Sequence, residues 1–254
     1  MQQTVILRKG TIQVPTTSLS FNLPDVDGLF PGFKAGDFAV LYCPQSVTSM
    51  VTNLCIQAQS PQELGGLESK VVFVDAANTS AFPDLLQSAE LLQLDPKNAL
   101  GKIVTMRAYT AYRLTSLITE KLEEAVEMSN AKLVVVSDVI GPFLSEMVND
   151  QEAKAVYSQI MSYLAGLARR HKIIVIATCL SHESSPRREA LQEINSTKAK
   201  IVLRFTKTPY TSEFELEKHP TYMLGVSEFS ETHVEGSYVG RSRNPAATLS
   251  YRIL

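Results

Sequence analysis

Five short apolar runs rich in valine and isoleucine, DFAVLY, KVVFVDA, KIVTMRA, KLVVVSD and KIIVIATC, recur between residues 37 and 179, separated by longer segments of helical period. None alternates strictly with polar residues, so each is expected to be covered on both faces, as central strands of a parallel α/β sheet are. Strands that alternate with helices read as βαβ units. One predicted helix carries Leu114, Leu117, Ile118, Leu122 and Ala125 on one face and Glu120, Lys121, Glu123 and Glu124 on the other. A second places Val156, Ile160, Tyr163, Leu164 and Leu167 on one stripe. It starts near Asp150 and ends in Arg169 to Lys172, a basic end that suits the negative pole of a helix.

After Leu191 the pattern changes. AKIVLRF, SEFELEKH and TYMLGVSEF follow one another with no room for crossover helices, which predicts an antiparallel meander at one edge of the sheet. CLSHESSPRREALQEINSTKAK reads as a polar loop with one turn of helix. The expectation is one domain over residues 1–254, with a lead-in strand over 1–18 and a tail or edge strand over 241–254.

With 254 residues, 44% of them hydrophobic and 20% charged, the chain can bury a large core, and disorder is excluded. A formal charge of -2 gives no global pull toward nucleic acid or membrane. The amino terminus lacks signal-peptide features and no run spans a bilayer, so a cytoplasmic protein without a membrane partner is expected. The three cysteines, Cys43, Cys55 and Cys179, form no CxxC pair and point to neither a disulfide framework nor a zinc site. Four scattered histidines, among them His182 and His219, match no catalytic or metal motif, so no metal is expected.

In order and spacing, LPDVDGLFPGFKAGDFAVLYCPQ, VVFVDA, RAYTAYRLTSLI, KLVVVSDVIGPF and FELEKHP resemble the core ATPase domain of the RecA/RadA recombinase superfamily. The similarity is greatest to archaeal-type RadA paralogues, more distant to KaiC-like proteins, and covers roughly Leu19 to Phe229. It implies a RecA-like P-loop NTPase fold, with a mainly parallel sheet flanked by helices and an antiparallel edge. Active relatives carry GxxxxGK[ST] after the first strand, where glycines let backbone amides wrap the phosphates, the lysine adds charge and the hydroxyl holds magnesium. Laid on that motif, CPQSVTSM puts Cys43 and Thr48 at the glycines, Ser49 at the lysine and Met50 at the magnesium ligand.

The resemblance places Ala77 at the family's catalytic carboxylate, with Asp75 the nearest acid, and Cys179 and Leu180 at its polar sensor pair. The Walker B acid is displaced by one residue to Asp138. It is either a magnesium ligand or a structural acid that caps the strand end. Phosphoryl transfer depends on positioning and charge stabilisation by these parts, so a pseudoenzyme without a cofactor is expected. The alternative is an anion switch in which the hydroxyls of Ser46, Thr48 and Ser49 and the helix amino terminus hold a phosphate group, or ATP with magnesium, weakly.

What the resemblance leaves is an accessory or scaffold role in DNA repair and recombination, with recombinase-like or other repair proteins as partners and head-to-tail self-association available. Arg187, Arg188, Lys198 and Lys200 lie in the segment matching a DNA-facing loop and are candidates for phosphate contacts, against the reading of a solvated mixed-charge loop. Phe143, Leu144 and Met147 are candidates for protein contact, against the reading of helix core. Cys43 and Cys179 end neighbouring strands and form a redox pair if their α-carbons come within about 7 Å, and are otherwise inert buried thiols.

Overall fold

The computed structural model describes residues 18–77, 82–145, 148–208 and 210–229. The expected tail over 241–254 lies outside them, as does the lead-in strand over 1–18 except for Ser18. The strands are β1 (Phe38–Cys43), β2 (Val71–Asp75), β3 (Ile103–Arg107), β4 (Leu133–Ser137), β5 (Ile174–Leu180), β6 (Ile201–Lys207), β7 (Ser212–Lys218) and β8 (Gly225–Phe229). They form one sheet in the order β3-β2-β4-β5-β1-β6-β7-β8. The first six positions pair in parallel, while β7 and β8 add antiparallel at one edge. The fold is therefore RecA-like α/β, and the meander after β6 sits where the loss of crossover helices placed it.

The apolar runs lack alternation because the sheet is covered on both sides. β1, β2 and β5 are buried at every residue. On the first face, Leu41, Phe73, Val135 and Ile176 pack against α2 (Thr48–Gln57), α3 (Phe82–Leu91) and α4 (Pro96–Gly101). On the second, Val40, Val74, Val136 and Ala177 pack against α5 (Ala111–Ser116), α6 (Leu122–Ser129), α7 (Asp150–His171) and α8 (Pro186–Lys198). The short α1 (Pro24–Asp27) joins a phenylalanine cluster over the antiparallel edge, where Phe21, Phe205 and Phe214 meet at ring distances of 5.1 to 6.3 Å.

The segment read as one helix from Leu114 to Ala125 is α5 and α6 joined by a π-helical turn over Leu117–Lys121. Its fully buried residues are Leu114, Ile118, Leu122 and Val126, spaced by four. At 3.6 residues per turn such a row drifts by about 40° per step. The wider π turn takes up part of that drift and keeps the four side chains on one line.

The polar segment after β5 departs from expectation. It is α8, a helix of 13 residues, capped by the Ser185 side chain, which accepts from the Arg188 amide at 3.2 Å, with Pro186 in the first turn. One face is buried through Leu191 and Asn195. Asn195 accepts from the Tyr157 hydroxyl at 2.6 Å and donates to the Tyr42 hydroxyl at 3.1 Å, so a polar residue fastens α8 to α7 and β1.

Cys43 and Cys179 do end adjacent strands, but the redox pairing is corrected by the register. Cys43 pairs with Leu180 and Tyr42 with Cys179. Successive residues of a strand point to opposite faces. The Cys43 thiol belongs to the first face and the Cys179 thiol to the second. Burial pushes both thiols up, Cys43 to about 12, which suppresses the reactive thiolate.

Candidate functional site at the carboxyl edge of the sheet

The turn after β1 is tight. Pro44 is extended, Gln45–Val47 form one 3₁₀ turn, and α2 follows directly. The Val47 amide donates to the Pro44 carbonyl at 3.0 Å and the Thr48 amide to the Gln45 carbonyl, which also accepts the Thr48 hydroxyl at 2.8 Å. No residue from Cys43 to Met50 has a positive φ. The Val47 and Thr48 amides are thus turned into the turn itself, and the left-handed steps of an anion-wrapping loop are missing. Val47 and Met50 are buried, Thr48 and Ser49 half-buried, and Ser46 exposed.

Beside this turn is a cavity of about 50 Å³, lined by Gln45, Thr48, Ala77, Asp84, Ser137 and Leu180 with four further residues. That volume suits a few water molecules. Among its described lining residues the one with a carboxylate is Asp84, and none is lysine or arginine. The buried Leu180 brings an apolar side chain to it.

Asp75 is directed to its neighbours. Its carboxylate accepts from the Ser137 hydroxyl at 3.4 Å and lies 3.9 Å from Arg107 Nε, which joins the ends of β3, β2 and β4. Asp138 follows β4 with a left-handed backbone, φ 45°, so the residue begins a new direction instead of extending the strand. Its buried carboxylate accepts from the Leu180 amide at 3.1 Å and meets His182 Nε2 at 2.8 and 2.9 Å, while its own amide donates to Thr178 Oγ1 at 2.8 Å. Asp138 staples the exits of β4 and β5. It does not line the small cavity; it lines a second one of about 420 Å³, with Ala77, Tyr109, Tyr112 and His182.

The Rad51 family profile matches residues 8–200, well over half of the chain. The chain belongs to the Rad51 family. It is 30% identical over 137 residues to the DNA repair and recombination protein RadA of Aeropyrum pernix, an alignment covering 54% of this chain and 42% of that protein. It is 28% identical over 146 residues to the meiotic recombination protein DMC1 of Saccharomyces cerevisiae, covering 57% of this chain and 43% of that one. The chain therefore spans about two fifths of these relatives.

In this Rad51-family chain, three of the four basic residues picked out for phosphate contact are engaged internally. Arg187 pairs with Asp150 at 2.5 Å and donates to the Ser145 carbonyl at 2.5 Å. Arg188 donates to the His182 carbonyl. Lys200 pairs with the buried Asp37 at 2.6 Å. Arg188 and Lys198 have no ion-pair partner among the described residues. The solvated-loop alternative also fails, because the segment is a helix pinned to the loop after β4.

The protein-contact candidates are corrected too. Phe143 is fully buried, its ring edge-on to Tyr157 at 5.2 Å, and Leu144 packs against the same core. Met147 lies outside the described residues. Tyr109 and Tyr112 are exposed aromatics beside this segment, and nothing in RAYTAYRL beyond its helical period and its likeness to the family marks them in the sequence.

Among the described residues Glu123, Glu127 and His171 bring one ligand atom each within 4.8 Å. The Glu123 carboxylate is already held by His171 at 2.6 Å, by Tyr163 at 2.7 Å and by Arg170 at 2.9 Å, which clamps α6 to the end of α7. These bonds, that from His171 foremost, lower its pKa from the ordinary 4.5 to about 2. A carboxylate depressed on folding contributes stability that is present above pH about 4.5 and is lost as the pH falls toward 2. Glu123→Gln is expected to flatten the acid limb of a thermal-midpoint-versus-pH curve in that window and to lower the plateau above it. Parallel curves for the two proteins would contradict this.

No helix among the described residues is long and apolar enough to cross a membrane.

Proposed function

We propose that this chain is a non-catalytic Rad51-family protein, one core domain acting as an accessory or scaffold in DNA repair and recombination through protein contacts. Its likeness to RadA, a DNA repair and recombination protein, and to DMC1, a meiotic recombination protein, supports the process. One observation carries the non-catalytic part. The position after β1, where the family holds a polyphosphate, is a closed 3₁₀ turn beside a cavity of about 50 Å³ whose charged lining residue is an acid. A triphosphate there would meet no lysine or arginine and no left-handed amide loop, and it would face Asp84.

The carboxyl edge supports the protein-contact part. Arg187 and Arg188, the helix they open and the Asp138–His182 pair hold the exits of β4 and β5 together. Direct DNA binding by these residues would draw on Arg188 and Lys198 alone, since Arg187 and Lys200 are paired with acids and counterion release needs cations available to phosphates. Phosphate release from ATP with magnesium, measured with and without single-stranded DNA, is expected to match the protein-free blank. DNA-stimulated turnover would overturn the proposal.

A further inference from the structure

The second cavity, about 420 Å³, opens at the carboxyl edge, shares Ala77 with the smaller one and has the volume of a ligand site. Two exposed tyrosines, Tyr109 at 41% and Tyr112 at 58%, flank Thr110, whose hydroxyl caps α5 by accepting from the Arg113 amide. The Tyr112 hydroxyl donates to Glu152 Oε1 at 3.2 Å, which orients the ring and sets an acid behind it. At the floor is Asp138. Its left-handed backbone is a conformation that costs energy at a residue other than glycine, and such positions gather at binding sites. Gly141 is shaped around the pair, because a β-carbon there would come within 2.1 Å of Asp138 Oδ2 and 3.3 Å of His182 Nε2.

The one acid among the cavity's described lining residues is Asp138, joined by the His182 imidazole and by no lysine or arginine. The nearby Arg187 is neutralised by Asp150. A carboxylate has about four lone-pair sites. Asp138 Oδ1 receives the Leu180 amide and His182 Nε2, while Oδ2 receives His182 alone, which leaves acceptor capacity on Oδ2. Electron-rich rings at the mouth and a carboxylate at the floor select a cation and repel an anion.

We propose that this cavity binds the guanidinium side chain of an arginine presented by a partner protein. A guanidinium lies flat on a tyrosine ring and donates in its own plane to a carboxylate, whereas an ammonium has no face to stack. The proposal rests on the accessory reading only for the arginine being carried by a protein. The site itself would stand without it.

The test is a titration of the isotopically labelled chain with N-acetyl-arginine methylamide, its citrulline counterpart and its lysine counterpart, followed by nuclear magnetic resonance. Saturable shifts at Thr110, Gly141 and His182 in the millimolar range are expected for arginine, weaker ones for lysine and none for citrulline. Tyr112→Ala, a change at an exposed residue, is expected to weaken arginine binding roughly fivefold, in keeping with loss of a partly exposed cation–π contact. Tyr109→Ala serves as the second variant. Equal binding of citrulline, or shifts confined to Glu123 and Glu127, would overturn the proposal. ATP turnover would sink the accessory reading and leave this site untouched, so the two failures are separable.

Discussion

Replacing Phe143 with alanine lowers the stability of the folded chain by about 3–5 kcal/mol, the range for truncating a buried phenylalanine. Phe143 has no exposed surface and sits in the short 3₁₀ turn after β4, with its ring edge-on to Tyr157 from the middle of α7. Truncation removes the aromatic contact and leaves a cavity between the β4 exit and α7, and the stapled loop around it has little freedom to collapse. For a chain of this size that corresponds to a fall of roughly 10 °C in the thermal midpoint. A partner-contact residue on the surface would behave oppositely, with loss of binding and a midpoint within about 1 °C of the parent. A calorimetric scan of Phe143→Ala separates the two.

Asp138→Ala carries the second large effect, about 1–3 kcal/mol, because the buried Leu180 amide is left without its acceptor, while the partly exposed His182 can turn to water. The Leu180 amide loses its acceptor and His182 loses both contacts made through Nε2. Asp138→Asn keeps an acceptor for the Leu180 amide and is expected to fall between the parent and the alanine variant. In a double-mutant cycle with His182→Ala, the two losses are expected to be less than additive, with a coupling of about 1–3 kcal/mol. Additive losses would show that Asp138 and His182 do not act as a unit. A magnesium-ligating acid would behave otherwise, since relieving crowded negative charge in the absence of metal would stabilise the chain.

The sheet was legible because valine and isoleucine runs without alternation have few other solutions, and the antiparallel edge because three strand-like runs after Leu191 left no room for helices. The helix α8 was hidden by its polarity. Its face toward the core holds Leu191 and a buried asparagine, so hydrophobic periodicity is faint, although Ser185 followed by Pro186 spells a helix start. Asp138 could be flagged from the sequence, but His182 lies 44 residues away and is brought to it only by the pairing of β4 with β5. Phe143 and the thiols show the same limit. A strand end says that a side chain lies near the sheet edge, and register alone says which face it enters.

Isothermal titration calorimetry of the full chain with ATP in the presence of magnesium reports whether the turn from Cys43 to Met50 holds a nucleotide. The account predicts heats indistinguishable from dilution, because the Val47 and Thr48 amides are spent within the turn and Asp84 is the charge that faces the cavity. Saturable binding with a micromolar dissociation constant would contradict it.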